Sequence, residues 1–173
     1  MESRRFLVLD TTYALPLFGI DVEELASSKS GENPLERLWS RGIPGFDLVL
    51  PTTCLLEILF KLNREYKKQQ DASILARYEI GFPTVKESKV VRLLDPLTSP
   101  ACVAMVSKVR LAGHEDLLDC LIASCAISKK GVLLTEDDDL VRLLVENQFM
   151  SKDACIKWTS IKPRLNDERP ARS

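Results

Sequence analysis

Apolar residues along this chain fall into two rhythms. Short, mostly apolar runs at Phe6-Leu7-Val8-Leu9, Asp47-Leu48-Val49-Leu50, Lys89-Val90-Val91-Arg92-Leu93-Leu94 and Gly131-Val132-Leu133-Leu134 alternate with longer segments whose apolar positions return every three or four residues. The runs fit strands buried on both faces, and the longer segments fit amphipathic helices. Cys155-Ile156-Lys157-Trp158 predicts a short fifth strand. A helix is predicted from Thr11, interrupted near Pro16. Residues 27–33 form a polar loop. Asn33-Pro34 then opens a helix as cap and first residue, and Gly42, Pro44 and Gly45 end it.

The next helix starts at Pro51-Thr52-Thr53 and carries Leu55, Leu59, Leu62 and Tyr66 on an apolar face. Residues 71–80 continue as helix up to a predicted break at Gly81-Phe82-Pro83-Thr84. Further helices are predicted over 98–111, with Val103, Val106 and Val109 inward, over 115–129, and over 138–147. Strands alternating with helices imply βαβ units, hence an α/β fold with a mostly parallel sheet and helices on both faces. No linker divides the chain. Residues 1–160 are expected to form one domain, and the charged, proline-bearing tail from 161 to 173 is expected to fray.

Composition removes several chemistries. The 173 residues, 45% hydrophobic and 28% charged, are ample for one folded domain. No apolar run approaches the roughly 20 residues that span a bilayer. The N-terminus lacks a small-residue cleavage site, so a cytoplasmic protein is expected. Five cysteines without a C-x-x-C pair, beside one histidine, make no zinc pattern. Each cysteine is expected to be a small buried hydrophobe. A Ser-His-Asp or Cys-His enzyme would have to use His114, and no nucleophile motif accompanies it. No P-loop or G-x-G-x-x-G is present. Carboxylates and a metal are the chemistry left over.

In a parallel sheet, sites gather at the C-terminal ends of the strands. Asp10 ends the first predicted strand, and Asp137 follows the fourth. Glu57 lies on the helix after the second. Asp116 and Asp119 share a face of the helix before the fourth, with Glu115 nearby. Asp10 could simply cap a helix, and Glu136-Asp137-Asp138-Asp139 could simply complement a helix dipole. Glu57 and Asp119 are harder to explain so, because each sits in an apolar stretch where an unpaired carboxylate is costly. Three or four carboxylates at one sheet edge suit Mg²⁺ or Mn²⁺, hard cations that take oxygen ligands. Such ions can activate water for hydrolysis without a histidine base.

Four segments in order resemble the PIN-domain family, including the VapC-type toxins. They are Phe6-Leu7-Val8-Leu9-Asp10-Thr11-Thr12, Pro51-Thr52-Thr53-Cys54-Leu55-Leu56-Glu57, Asp119-Cys120-Leu121-Ile122-Ala123-Ser124-Cys125-Ala126, and Leu133-Leu134-Thr135-Glu136-Asp137-Asp138-Asp139-Leu140. The resemblance implies a three-layer α/β/α fold with a five-stranded sheet ordered 3-2-1-4-5. It implies Asp10, Glu57, Asp119 and Asp137 as metal-holding catalytic carboxylates and Thr11 and Thr135 as supporting hydroxyls. Asp116 and Asp139 are lesser candidates as ligands. It further implies an endoribonuclease that uses Mg²⁺ or Mn²⁺ and leaves a 5′-phosphate. Such an enzyme would be either the toxin of a VapBC-type toxin–antitoxin pair or a stand-alone RNA-processing nuclease. RNA would be the substrate, an antitoxin protein a candidate partner, and a homodimer the assembly.

The alternative is a catalytically silent PIN scaffold that binds RNA or a protein; loss of an acidic position is its usual mark, and all four are present. A haloacid-dehalogenase-like phosphatase would need an aspartate where Thr12 stands. Formal net charge is −1, which argues neither for nor against a nucleic-acid partner. From Glu57, helical spacing places Lys61, Arg64 and Lys68 on one face, a candidate path for RNA phosphates. An ordinary solvated face, paired with Glu65 or Asp71, is the plainer reading of that stripe. Tyr13 and Trp39 are expected in the core, and His114 on an exposed loop.

Overall fold

The apolar run at the N-terminus becomes the middle of the molecule. In the computed structural model, which describes residues 4–25 and 33–166, strand β1 (Arg5–Leu9) lies between β2 (Phe46–Pro51) and β4 (Val132–Leu134). β3 (Val91–Leu94) and β5 (Cys155–Ile156) complete an all-parallel sheet ordered 3-2-1-4-5. Leu7, Val8 and Leu9 are fully buried, as are Leu50, Leu133 and Leu134. Burial on both faces is what unbroken apolar runs require. The order reverses at β1, since β2 leaves on one side and β4 on the other. The crevice beyond the C-terminal end of β1 is therefore the topological switch point, where α/β sheets place their ligands.

Among the described residues, seven α-helices flank the sheet: α1 (Pro34–Arg41), α2 (Thr52–Gln69), α3 (Ser73–Lys86), α4 (Pro100–Leu111), α5 (Leu117–Ser128), α6 (Asp138–Glu146) and α7 (Trp158–Asn166). α5 packs on β1, β2 and β4 and against α4 and α2. Cys120 through Ala126 are all buried on it, which accounts for its nearly uninterrupted apolar sequence. Asn33 caps α1 by accepting a hydrogen bond from Leu35 N at 3.0 Å, with Pro34 at the first helical position. Tyr13 and Trp39 lie in the core. Cys54, Cys102, Cys120 and Cys125 are buried free thiols, and Cys155 is partly buried. No described helix is long and apolar enough to cross a membrane.

Several expectations need correction. The segment after Asp10 forms two short 3-10 turns, Thr11–Tyr13 and Leu15–Phe18, instead of an α-helix. The predicted break at Gly81 and Pro83 lies inside α3, which runs on to Lys86. Gly81 is there for close approach: a Cβ on it would sit 2.5 Å from Phe18 Cδ1 and 2.8 Å from the Leu17 carbonyl. On α4 the buried positions are Cys102 and Val109, while Val103 is exposed. Val106 and Val109 do pack inward as expected, so only Val103 leaves that face, with Cys102 in its place. The tail expected to fray from 161 instead stays helical to Asn166. Ile161 and Leu165 are buried, and Arg37 donates a hydrogen bond to the Leu165 carbonyl at 3.0 Å. The remainder of that tail, 167–173, and most of the predicted loop, 27–32, lie outside the described residues.

Replacing glycine by alanine inside a helix ordinarily stabilises it by up to about 1 kcal/mol. Gly81→Ala should do the reverse, lowering stability by about 1–3 kcal/mol through overpacking on Phe18 and Leu17. A thermal melt followed by circular dichroism should show the midpoint fall by several degrees. An unchanged or raised midpoint would mean that the contact is not tight.

Candidate metal centre

Asp10 is the first residue past β1. Its backbone N–H still joins the sheet, donating to Leu134 O at 3.0 Å, so its side chain emerges at the switch point. Oδ1 accepts from Thr11 N at 2.6 Å, and Oδ2 accepts from Thr135 Oγ1 at 2.7 Å. Thr135, fully buried, follows β4; its hydroxyl also accepts from Asp137 N at 3.2 Å. Thr11, also buried, donates its hydroxyl to Glu57 Oε2 at 2.5 Å. Two threonines thus join the ends of β1 and β4 to the start of α6 and to α2. Glu57 Oε1 is 3.1 Å from Lys61 Nζ, one turn further along α2.

Asp119 and Asp137 form the other side of the cluster. Asp137 caps α6, with Oδ1 accepting from Leu140 N at 2.9 Å. Asp119 stands in the first turn of α5, and its Oδ2 is 3.1 Å from Nε2 of His114. One ligand atom each from His114, Asp119 and Asp137 lie within 4.8 Å of one another. Two like unit charges at such a distance repel by on the order of 3 kcal/mol at an effective dielectric of about 20.

The electrostatics carry the mark of that crowding. The Asp10 carboxyl is pushed up from 3.8 to about 6, mainly by burial, with Asp119 and Glu57 adding repulsion against the pull of Thr135 and Thr11. Burial also raises Asp119, with Asp116 and Glu57 contributing, while His114 opposes the rise. Among the described residues, no lysine or arginine pairs with Asp10, Asp119 or Asp137. Several half-buried carboxylate oxygens short of positive charge suit a hard divalent cation, so the residues present fit Mg²⁺ or Mn²⁺.

Of the four principal acids expected from the sequence, Asp119 and Asp137 come within 4.8 Å of each other together with His114, while Asp10 and Glu57 are linked to that group through Thr135, Thr11 and their charges. The two lesser candidates are occupied elsewhere. Asp116 caps α5, accepting from Leu118 N at 2.8 Å and more weakly from Asp119 N at 3.4 Å. Asp139 is exposed and pairs with Arg142 at 2.8 Å. Lys61 is bound to Glu57, not to Glu65 or Asp71. Glu65 instead pairs with Arg77 at 3.3 Å, and Arg64 and Lys68 point to solvent. His114 is the residue that sequence reasoning misplaced. Expected on an exposed loop, its side chain is only 12% exposed and faces Asp119. Its place five residues before a helix acid was the one available signal.

A family model described as the PIN domain matches residues 7–144, well over half the chain. Among solved structures, a chain of VapBC2 from Rickettsia felis, crystallised bound to a DNA fragment from their promoter, superposes with a TM-score of 0.54. The match covers 88% of this chain and 98% of that one at 18% identity, a likeness of fold. No curated protein matches significantly.

Because folding raises the Asp10 pKa, it favours the protonated carboxyl. The associated stabilisation is complete below pH 3.8 and is lost as pH rises through about 6. Ionised Asp10 thus costs the metal-free protein up to about 3 kcal/mol at neutral pH. Asp10→Asn, melted in EDTA at pH 7.5, should be more stable than wild type by roughly 1–2 kcal/mol, with the difference shrinking toward pH 5. A variant less stable at pH 7.5 would show that the hydrogen bonds of Asp10 outweigh its repulsion.

Proposed function

Because the chain belongs to the PIN-domain family, whose members are generally nucleases, we propose that it is a metal-dependent endoribonuclease acting through Asp10, Glu57, Asp119 and Asp137. The observation that carries this reading is the convergence of those acids at the switch point, held by Thr11 and Thr135, with too little positive charge around them. Asp10, Asp119 and Asp137, with Glu57 beside them, would hold Mg²⁺ or Mn²⁺. When bound, the ion supplies charge stabilisation to the phosphodiester oxygens and makes a nearby water more acidic.

The chain's own residues supply position and proton transfer. Thr135 and the Thr11 N–H fix both oxygens of Asp10, so that carboxylate enters the reaction already oriented. Glu57 or Asp119 orients the attacking water and takes its proton. Burial raises the Asp119 carboxyl from its ordinary value. The water oxygen bonds to phosphorus, the bond to the 3′-oxygen breaks, and that oxygen takes up a proton. The products carry a 5′-phosphate and a 3′-hydroxyl.

Lys61 is drawn to Glu57 and holds that carboxylate in place. Arg64 and Lys68, further along α2, are exposed and without a partner among the described residues. They provide the path for RNA phosphates. The biological setting we favour is a VapBC-type toxin with an antitoxin protein as partner, a reading supported by likeness of fold and not of sequence.

Cleavage of a mixed RNA pool should require Mn²⁺ or Mg²⁺, stop in EDTA, and fall at least 100-fold in Asp10→Asn. Well-folded protein that neither binds metal by calorimetry nor cleaves RNA would instead be a silent scaffold. In the double variant Arg64→Ala/Lys68→Ala, KM should rise severalfold with kcat little changed. The salt dependence of RNA binding should flatten by roughly two phosphate contacts. A fall in kcat alone would place the two residues elsewhere in the mechanism.

A further inference from the structure

The chain's single histidine is built into the metal centre from a loop that holds it firmly. Gly113, at a φ of +114° that L side chains rarely adopt, turns the chain after α4. The Arg110 guanidinium donates to the backbone carbonyls of His114, at 3.2 Å, and of Glu115. Cys120 Sγ approaches the His114 carbonyl at 3.7 Å. These contacts hold the loop over the first turn of α5, and they leave the imidazole mostly buried with Nε2 at 3.1 Å from Asp119 Oδ2. An imidazole that only steadied Asp119 would not require a second carboxylate from another element. Asp137, at the start of α6, is nevertheless within 4.8 Å of both.

We propose that His114 is itself a ligand of the divalent cation, forming with Asp119 and Asp137 a mixed nitrogen–oxygen face that favours Mn²⁺ over Mg²⁺. The inference rests on the metal-dependent reading above and specifies its ligand chemistry. Ligand atoms about 2.1 Å from such an ion lie roughly 3–4 Å apart. The His114–Asp119 separation of 3.1 Å already has that spacing. All three ligand atoms lie within 4.8 Å of one another. Both ions favour oxygen, but Mn²⁺, a transition-metal ion, accepts an imidazole nitrogen more readily than Mg²⁺ does. One nitrogen donor therefore biases the site toward Mn²⁺ relative to an all-carboxylate set.

A one-histidine chain makes the test unambiguous, provided any affinity tag is removed. Pulsed electron paramagnetic resonance on the Mn²⁺-loaded full chain should show coupling to a directly bound imidazole ¹⁴N, absent in His114→Ala. His114→Gln keeps a hydrogen-bond donor toward Asp119 but offers no imidazole. It too should lack the coupling and bind Mn²⁺ about 10- to 100-fold more weakly, with a smaller loss for Mg²⁺. Wild type that binds Mn²⁺ without nitrogen coupling would overturn this inference and leave the nuclease reading standing. Full Mn²⁺ affinity in His114→Gln would do the same, leaving His114 a positioning residue for Asp119. No Mn²⁺ bound by wild type would overturn this inference, and neither Mn²⁺ nor Mg²⁺ bound would overturn both.

Discussion

Like charges do not gather by themselves, and this molecule depends on what holds them together. At the end of β1, Asp10, Glu57 and Asp119 are brought close enough to repel one another, and Asp137 comes within 4.8 Å of Asp119. The restraint comes from neutral donors. Thr135 Oγ1 binds Asp10, Thr11 Oγ1 binds Glu57, and backbone N–H groups bind Asp10 and Asp137. Hydroxyls and amides orient a carboxylate without cancelling its charge. A lysine or arginine in their place would satisfy the acids and leave nothing for a cation. Lys61, which reaches Glu57 from the half-exposed side of α2, is the exception among the described residues.

This arrangement ties the site to the rest of the fold. The hydroxyls sit at the strand ends because β1 and β4 are central and buried, and their last turns of chain have no freedom to swing away. Burial strengthens each hydrogen bond to an acid, and it also makes each uncompensated charge more costly. The uncompensated charges are unfavourable, and a divalent cation bound there would relieve them. The apolar core, from Leu7 and Leu133 to the buried face of α5, supplies the stability against which that cost is borne.

The four adjacent acids after β4 show how far local pattern reaches. Glu136 accepts from the Tyr13 hydroxyl at 2.6 Å and from Trp158 N at 2.7 Å, tying the 3-10 turn after β1 to the start of α7. Asp137 faces Asp119 and His114 and caps α6. Asp138 pairs with Lys157 at 2.7 Å, and Asp139 pairs with Arg142. One run of like residues thus serves structure, chemistry and surface in turn. A helix-start signal accounts for the run as a whole, but it contains nothing that separates its members. Each member's role depends on which side chain the fold brings opposite it.

The sequence by itself determined the layered α/β architecture and the strand positions, and it marked the four acids as candidates. Buried-strand runs, amphipathic spacing and acids at strand ends are local properties, and local properties are written in consecutive residues. Only the tertiary structure decided that Gly81 permits close packing and does not break a helix. It alone decided that Cys102 rather than Val103 faces α5, and that the chain stays helical to Asn166. It also decided that His114 turns inward to Asp119 while Asp116 and Asp139 turn to other partners. Each of these depends on a distance between segments far apart in the chain or on the path of a loop, and hydrophobic periodicity carries no information about either.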